Sequence, residues 1–186
     1  MRLLLTQLGI PFERIDVDIL TGKTRTADFL AKNANGRIPL LEVSPEERLA
    51  ESNAIILYLA EGTPFLPQDR WQRAKVYEWL FFEQYSHEPN IATPRFWIKF
   101  LPPDESKKPL LEQKKKLGYA ALDVMEKHLA SRRFFVGETY SIADIALYAY
   151  THVAEDGEFD LAPYSAIRAW FDRVRAEPRH IPITQA

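Results

Sequence analysis

The 186-residue sequence predicts an α/β unit over residues 1–61 joined to an all-helical unit over residues 69–186. Three observations lead there. Phe12 to Asp18 alternates apolar and polar side chains, the period of a half-buried strand. Ile38, Leu40 and Leu41 bracket Pro39 in an apolar run too short for a helix. From Asp69 onward apolar residues recur at helical spacing, beyond a break at Glu61–Gln68 that carries Gly62, Pro64 and Pro67.

In chain order, Arg2 to Leu8 reads as the later half of an amphipathic helix with Gly9 at its C-cap, and no N-cap precedes it. Pro11 lies where a helix cannot continue. Thr26 is placed to cap a short helix carrying Phe29 and Leu30, and Asn33 to Gly36 forms a turn into the apolar run at Ile38. Ser44 to Glu47 is a second turn, with Pro45 supplying its fixed φ, and Arg48 to Ala50 gives a short return strand. Ser52 reads as the N-cap of the helix that follows.

Beyond the break, Trp71, Ala74, Tyr77, Leu80 and Phe81 form a stripe expected to face the core, extended by Phe82 and Tyr85. His87-Glu88-Pro89 is expected to interrupt that helix, and Pro102-Pro103 to end the next. Asp104 to Lys116 reads as a solvated helix face or a loop. Leu117, Ala121, Leu122, Met125 and Leu129 make a further apolar stripe. Ser141-Ile-Ala-Asp144 has the form of a capping box, with Asp in the place of the usual Glu or Gln, and the helix from Ile145 to Val153 is apolar nearly all round. Ala166 to Ala176 is a final amphipathic helix ended by Pro178.

Composition bounds the chemistry. A net charge of −2 and a pI near 6.1 imply no general affinity for nucleic acid or anionic membrane. No run of 18 apolar residues is present, so no transmembrane helix is expected. Met1-Arg-Leu-Leu-Leu5 resembles the start of a signal peptide, but its apolar stretch ends at Thr6-Gln7 without a small-residue cleavage site. Cysteine is absent, which excludes disulfides and a cysteine nucleophile within these residues and is compatible with the cytoplasm. The histidines at 87, 128, 152 and 180 have no zinc-site spacing, and the common phosphate and hydrolase motifs are absent. No metal is expected.

The stretch that carries chemistry runs from Gly36 to Glu42 and resumes at Glu51-Ser52. A helix N-terminus with a hydroxyl beside it suits a carboxylate or phosphate. Extended backbone at Ile38 could pair with a peptide-like ligand. Together they suggest a small peptide ligand. The plainer reading, Ser52 as a cap and Pro39 as a strand end, stands beside it.

Asn35-Gly-Arg-Ile-Pro-Leu-Leu-Glu42 with Glu51-Ser-Asn-Ala-Ile-Ile-Leu-Tyr-Leu59 closely resembles the glutathione transferases of the bacterial, cytosolic type. The resemblance covers nearly the whole chain. It implies a thioredoxin-like N-terminal domain and an all-helical C-terminal domain. It implies a cis bond before Pro39, pairing of the neighbouring Arg37–Ile38 backbone with the cysteinyl part of glutathione, and a γ-glutamyl site at Glu51 and Ser52. It gives the Ser141–Asp144 box a folding role. It implies glutathione as co-substrate, thiolate attack on a small hydrophobic electrophile, a detoxification role and a homodimer.

The chain departs from that pattern at its start. Leu3 to Glu13 matches the family's first helix and second strand, so the first strand and the thiol-activating loop after it have no counterpart here. Residues 12–17 are then expected either to pair directly with 38–41 or to leave the N-terminal domain the less stable one, and conjugation to run barely above the solution rate unless an upstream segment is present. Tyr85 and Arg95 are the remaining candidates to face the cleft, as pocket lining before thiol activation. A catalytically silent glutathione- or partner-binding module, and a carrier of apolar ligands in the aromatic cleft, are the alternatives.

Overall fold

The computed structural model describes residues 1–185. Helix α1 (Arg2–Leu8) ends at Gly9, whose φ of 69° turns the chain out of the helix; an ideal Cβ there would lie 2.4 Å from the Arg179 guanidinium. Helix α2 (Ala27–Lys32) starts at Thr26, which accepts a hydrogen bond from the Phe29 N–H as the sequence predicts. Strands β1 (Leu40–Glu42) and β2 (Arg48–Ala50) form an antiparallel hairpin in the register Leu40↔Ala50, Leu41↔Leu49 and Glu42↔Arg48. Helix α3 (Ser52–Ala60) follows directly.

The expected strand at Phe12–Asp18 does not form. The segment runs extended without a ladder partner, and the hairpin is the whole sheet among the described residues. A strand is stabilised only by its neighbours. Here Ile15 is 72% exposed, and the polar groups are satisfied locally, by the Arg14–Asp16 pair at 2.8 Å and the Leu20 N–H on Asp18. Of the two outcomes expected for the gap, direct pairing of 12–17 with 38–41 is therefore not the one taken. Strand pairing also begins at Leu40, two residues later than the apolar run.

The rest is helical. Helix α4 (Arg70–Phe82) is capped by Asp69, which accepts from the Gln72 N–H. A wide π-type turn over Glu83–His87 carries the chain into α5 (Glu88–Phe100). His87-Glu88-Pro89 thus continues the helix rather than interrupting it. Pro89 directly follows the wide turn, whose loosened hydrogen-bond ladder accommodates a residue without an N–H. Helices α6 (Lys108–Leu129), α7 (Ile142–Thr151) and α8 (Ser165–Arg175) complete the chain.

The inward face of α4 is rotated from the expected one. Val76, Trp79 and Leu80 are buried, whereas Trp71 and Phe81 are 72% and 73% exposed. Likewise on α6, Gly118 takes the buried place expected of Leu117. One apolar core joins both halves: Leu4 of α1 and Ile56 and Ala60 of α3 pack with Leu122, Met125, Phe135, Leu147 and Trp170.

The capping box at Ser141 forms, and its Asp144 does more than cap. One carboxylate oxygen accepts from the Ser141 N–H at 3.0 Å. The other accepts from the Phe135 N–H at 3.1 Å and the Trp170 indole N–H at 3.0 Å. Asp144 is fully buried, and burial pushes its carboxyl up to about 6 against the pull of those bonds. Asp144→Ala takes the acceptor from four buried donors, the Ser141 hydroxyl included, and is expected to lower unfolding free energy by about 3–5 kcal/mol in urea titration.

His87 is also fully buried. Thr151 Oγ1 donates to the Leu147 carbonyl, so His87 Nε2–H, 2.8 Å away, donates to that hydroxyl and the imidazole is neutral. Burial lowers its pKa from 6.5 to about 3. Between those values the unfolded chain binds one more proton, so stability falls with falling pH. Relative to His87→Gln, the parent should lose about 1.4 kcal/mol more per pH unit between pH 6 and 4, read from urea midpoints.

Candidate functional site

The loop before β1 is shaped by asparagine side chains. Asn33 Nδ2 donates to the Arg37 carbonyl at 2.8 Å, and Asn33 Oδ1 accepts from the Asn35 N–H at 3.1 Å. Gly36 has a φ of 61°, and a Cβ there would meet the Thr24 carbonyl at 2.9 Å, so a side chain is excluded on both counts. Arg25 Nη1 donates to the Asn35 carbonyl at 3.0 Å and closes the turn. The chain leaves it through Arg37 and Ile38, both exposed, and the Ile38–Pro39 bond is cis, as the sequence comparison led one to expect.

The hairpin register then joins the two halves of the sequence motif. Leu40 pairs with Ala50, so Pro39 and Glu51 flank the first rung of the same ladder. Asn35 Nδ2 lies 3.4 Å from Glu51 Oε1 and ties the loop to the residue before α3. Arg37, Ile38, Pro39, Glu51 and Ser52 therefore lie around one end of the hairpin.

The cap of α3 differs from the expected one. Glu51, not Ser52, holds the N-cap position, with a φ of 67° and no side-chain cap bond. A non-glycine residue at positive φ is a strained position of the kind held only where its surroundings impose it. Ser52 is the first helical residue, so its hydroxyl is not committed to capping. The first helical hydrogen bond runs from the Ile55 N–H to the Glu51 carbonyl, leaving the N–H groups of Ser52, Asn53 and Ala54 without an intrahelical acceptor. The site thus offers extended backbone, N–H donors free of intrahelical acceptors at a helix N-terminus and a carboxylate, which suits a ligand with peptide, carboxylate and ammonium groups.

The helical half faces this end through Glu88 and Lys114. Burial raises the Glu88 carboxyl, and the positive charges of Arg37 and Lys114 oppose that rise. The Lys114 ammonium donates to the Pro89 carbonyl at 2.7 Å. The two candidates from the helical half are placed differently. Tyr85 is 88% exposed on the wide turn. Arg95 is largely buried, with Nε 3.0 Å from Asp156 Oδ2, which Lys99 also contacts at 2.7 Å. A Cβ on Gly157 would sit 2.9 Å from the Arg95 backbone N, so that pair rests on close packing. Sequence reasoning missed Asn33, Asn35, Asn53, Glu83 and Glu88. Asn33 and Asn35 bracket a turn and were open to a side-chain role; the others act across long separations. Among the described residues no cluster of potential metal ligands occurs, and no helix is long and apolar enough to cross a membrane.

Residues 1–61 match the family "Glutathione S-transferase, N-terminal domain", and residues 89–178 match "Glutathione S-transferase, C-terminal domain". Glutathione S-transferase 3 of Zea mays is 33% identical over 94% of this chain and 82% of its own. A crystal structure of a glutathione S-transferase from Pseudomonas fluorescens Pf-5 is 53% identical, with a TM-score of 0.95 over 99% of this chain and 92% of that one. A Burkholderia graminis glutathione transferase, solved with two glutathione molecules bound per subunit, is 27% identical, with a TM-score of 0.83 over 95% of this chain and 78% of that one. With these matches spanning both halves and the cis-proline hairpin in place, the chain belongs to the glutathione S-transferase family.

Proposed function

We propose that this chain binds glutathione through Arg37, Ile38, Pro39, Glu51 and Ser52 and conjugates its thiolate to small hydrophobic electrophiles. The observation that carries the reading is the hairpin, which sets the cis-proline segment beside the uncapped N-terminus of α3. In it the Ile38 backbone pairs with the cysteinyl peptide group, and the Ser52 hydroxyl with the free N–H groups behind it binds the γ-glutamyl carboxylate. The Glu51 side chain takes the γ-glutamyl ammonium. We divide the chain accordingly into a glutathione-binding domain over residues 1–61 and a helical domain over 69–186.

A lowered thiol pKa needs a donor at the sulfur. The exposure of Tyr85 and the engagement of Arg95 with Asp156 favour a second reading, a member that binds glutathione or a partner without accelerating conjugation. Calorimetric titration with glutathione, paired with conjugation to a chloronitrobenzene, separates the two. Binding with turnover supports the transferase, binding alone supports the silent module, and no binding overturns the glutathione site in either reading. Ser52→Ala should weaken glutathione binding by about 1–2 kcal/mol, because it removes a hydrogen bond to a charged group. Since Ser52 is not the cap, the melting temperature should stay near that of the parent; unchanged affinity would count against the site.

We further propose a homodimer. Trp71, Ala74, Phe81 and Tyr85 share one face of α4 and its continuation, and the three aromatic rings stand in solvent. An exposed aromatic stripe of this kind suits a symmetric subunit contact. Light scattering at micromolar concentration should give twice the 21.6 kDa chain mass. A Trp71→Glu, Phe81→Glu variant should move it to the monomer value; a monomeric parent would refute the contact.

A further inference from the structure

The second residue of α3 is fastened to the helical half by its side chain. Asn53 Nδ2 donates to the Leu80 carbonyl at 3.0 Å and to Glu83 Oε2 at 2.9 Å. Leu80 and Glu83 are three residues apart where α4 gives way to the wide turn, so carbonyl and carboxylate meet the amide from one face. The same carboxylate oxygen accepts from Gln84 Nε2 at 2.8 Å. Glu83 is only 3% exposed, and the group of opposite charge that acts on it is the α-amino group of Met1.

Keeping a carboxylate this deeply buried costs folding free energy even with one amino group acting on it. Packing alone would be served as well by a neutral side chain. What this carboxylate holds, besides its neighbour Gln84, is the residue next to Ser52. Burial raises the Glu83 carboxyl to about 7, and both its protonated and ionised forms keep an oxygen that can accept from Asn53.

We infer that Asn53 and Glu83 form a positioning pair that sets the first turn of α3, and with it Glu51 and Ser52, against the helical half, so that affinity for glutathione depends on a residue remote in sequence that does not line the ligand. This rests on the glutathione-binding reading above. Asn53 has two amide hydrogens and two acceptors on the opposite wall, which fixes both the height and the rotation of α3. Glu51 sits at positive φ immediately before that turn, with its carboxylate tied only to Asn35. Releasing Asn53 would let the helix start and the strained residue relax together.

The test uses the full chain and two readouts. In calorimetric titration, Asn53→Ala and Glu83→Ala should each weaken glutathione binding about tenfold. The double variant should be no weaker than the poorer single one, since both break the same Asn53–Glu83 bond. Glu83→Gln, which keeps an acceptor, should bind within about twofold of the parent even if Glu83→Ala folds poorly. In hydrogen exchange, Asn53→Ala should speed the Ile55 and Ile56 amides of α3 about fivefold and leave those of α7 unchanged. Parent-like binding in Asn53→Ala, additive losses in the double variant, or unchanged α3 exchange would each overturn the pair. A parent that binds no glutathione would overturn the binding reading instead, whereas a binding parent with unaffected variants would overturn the positioning pair alone.

Discussion

The Asp144 carboxylate is the point on which the rest of the structure depends. Helix α7 is buried on nearly every side, so nothing on its surface marks where it must begin. Asp144 supplies that mark. It closes the cap of α7, takes the backbone of Phe135 from the preceding loop, and takes the indole of Trp170 from α8. Three chain segments are fixed by one side chain. Around it Phe135 meets Trp79 at 4.6 Å and Trp170 at 5.1 Å, ring centre to ring centre, so the same junction reaches α4. The α1 and α3 helices then pack on a platform whose position is already set.

The segment that carries the candidate site is attached to that platform at few points. The hairpin has three residue pairs, and the extended stretch at 12–18 contributes no ladder to it. Helix α3 therefore carries the load. Its inner side buries Ile55, Ile56 and Ala60, which fixes it against the core but leaves rotation about its own axis less determined. Directional bonds restrict that rotation better than apolar contact, which is non-directional. The Asn53 amide and the Asn35–Glu51 contact are the directional ones at the functional end.

What could be read in the sequence was what its local chemistry decides. The Gly36 turn, the Thr26 cap, the Ser141–Asp144 box and the hairpin around Pro45 depend on residues a few positions apart, and each was legible. The strand at Phe12–Asp18 was not decided locally: alternation states which face would be buried, but a ladder needs a neighbour. The face of α4 misled for a related reason. Its outward residues are aromatic, so periodicity found a stripe without saying whether core or another surface covers it. At the candidate site, the family resemblance carried Arg37 to Ser52, whereas Asn53 and Glu83 are 30 residues apart and have no signature a linear reading could catch.

The buried titratable groups also act against one another, and the signs can be followed. Asp144 and Glu83 have folded pKa values raised above their ordinary ones, to about 6 and about 7. In each the folded state holds its proton more tightly. The stabilising effect is fully present below the unfolded value near 4 and is lost as pH rises through the folded value. His87 runs the other way: its depressed pKa favours the fold above 6.5 and withdraws that support as pH falls toward 3. From pH 6 to 4 the two carboxyls gain stability while the imidazole loses it, so the contributions oppose. The three sit in linked places, Glu83 and His87 at the two ends of the wide turn and Asp144 on the helix whose Thr151 holds His87. The wide turn therefore joins α3 to the core through one group that favours acid and one that favours base. Total stability across mildly acidic pH conceals both contributions. Only single-residue comparisons expose them, because neutralising either group leaves the other's slope uncompensated.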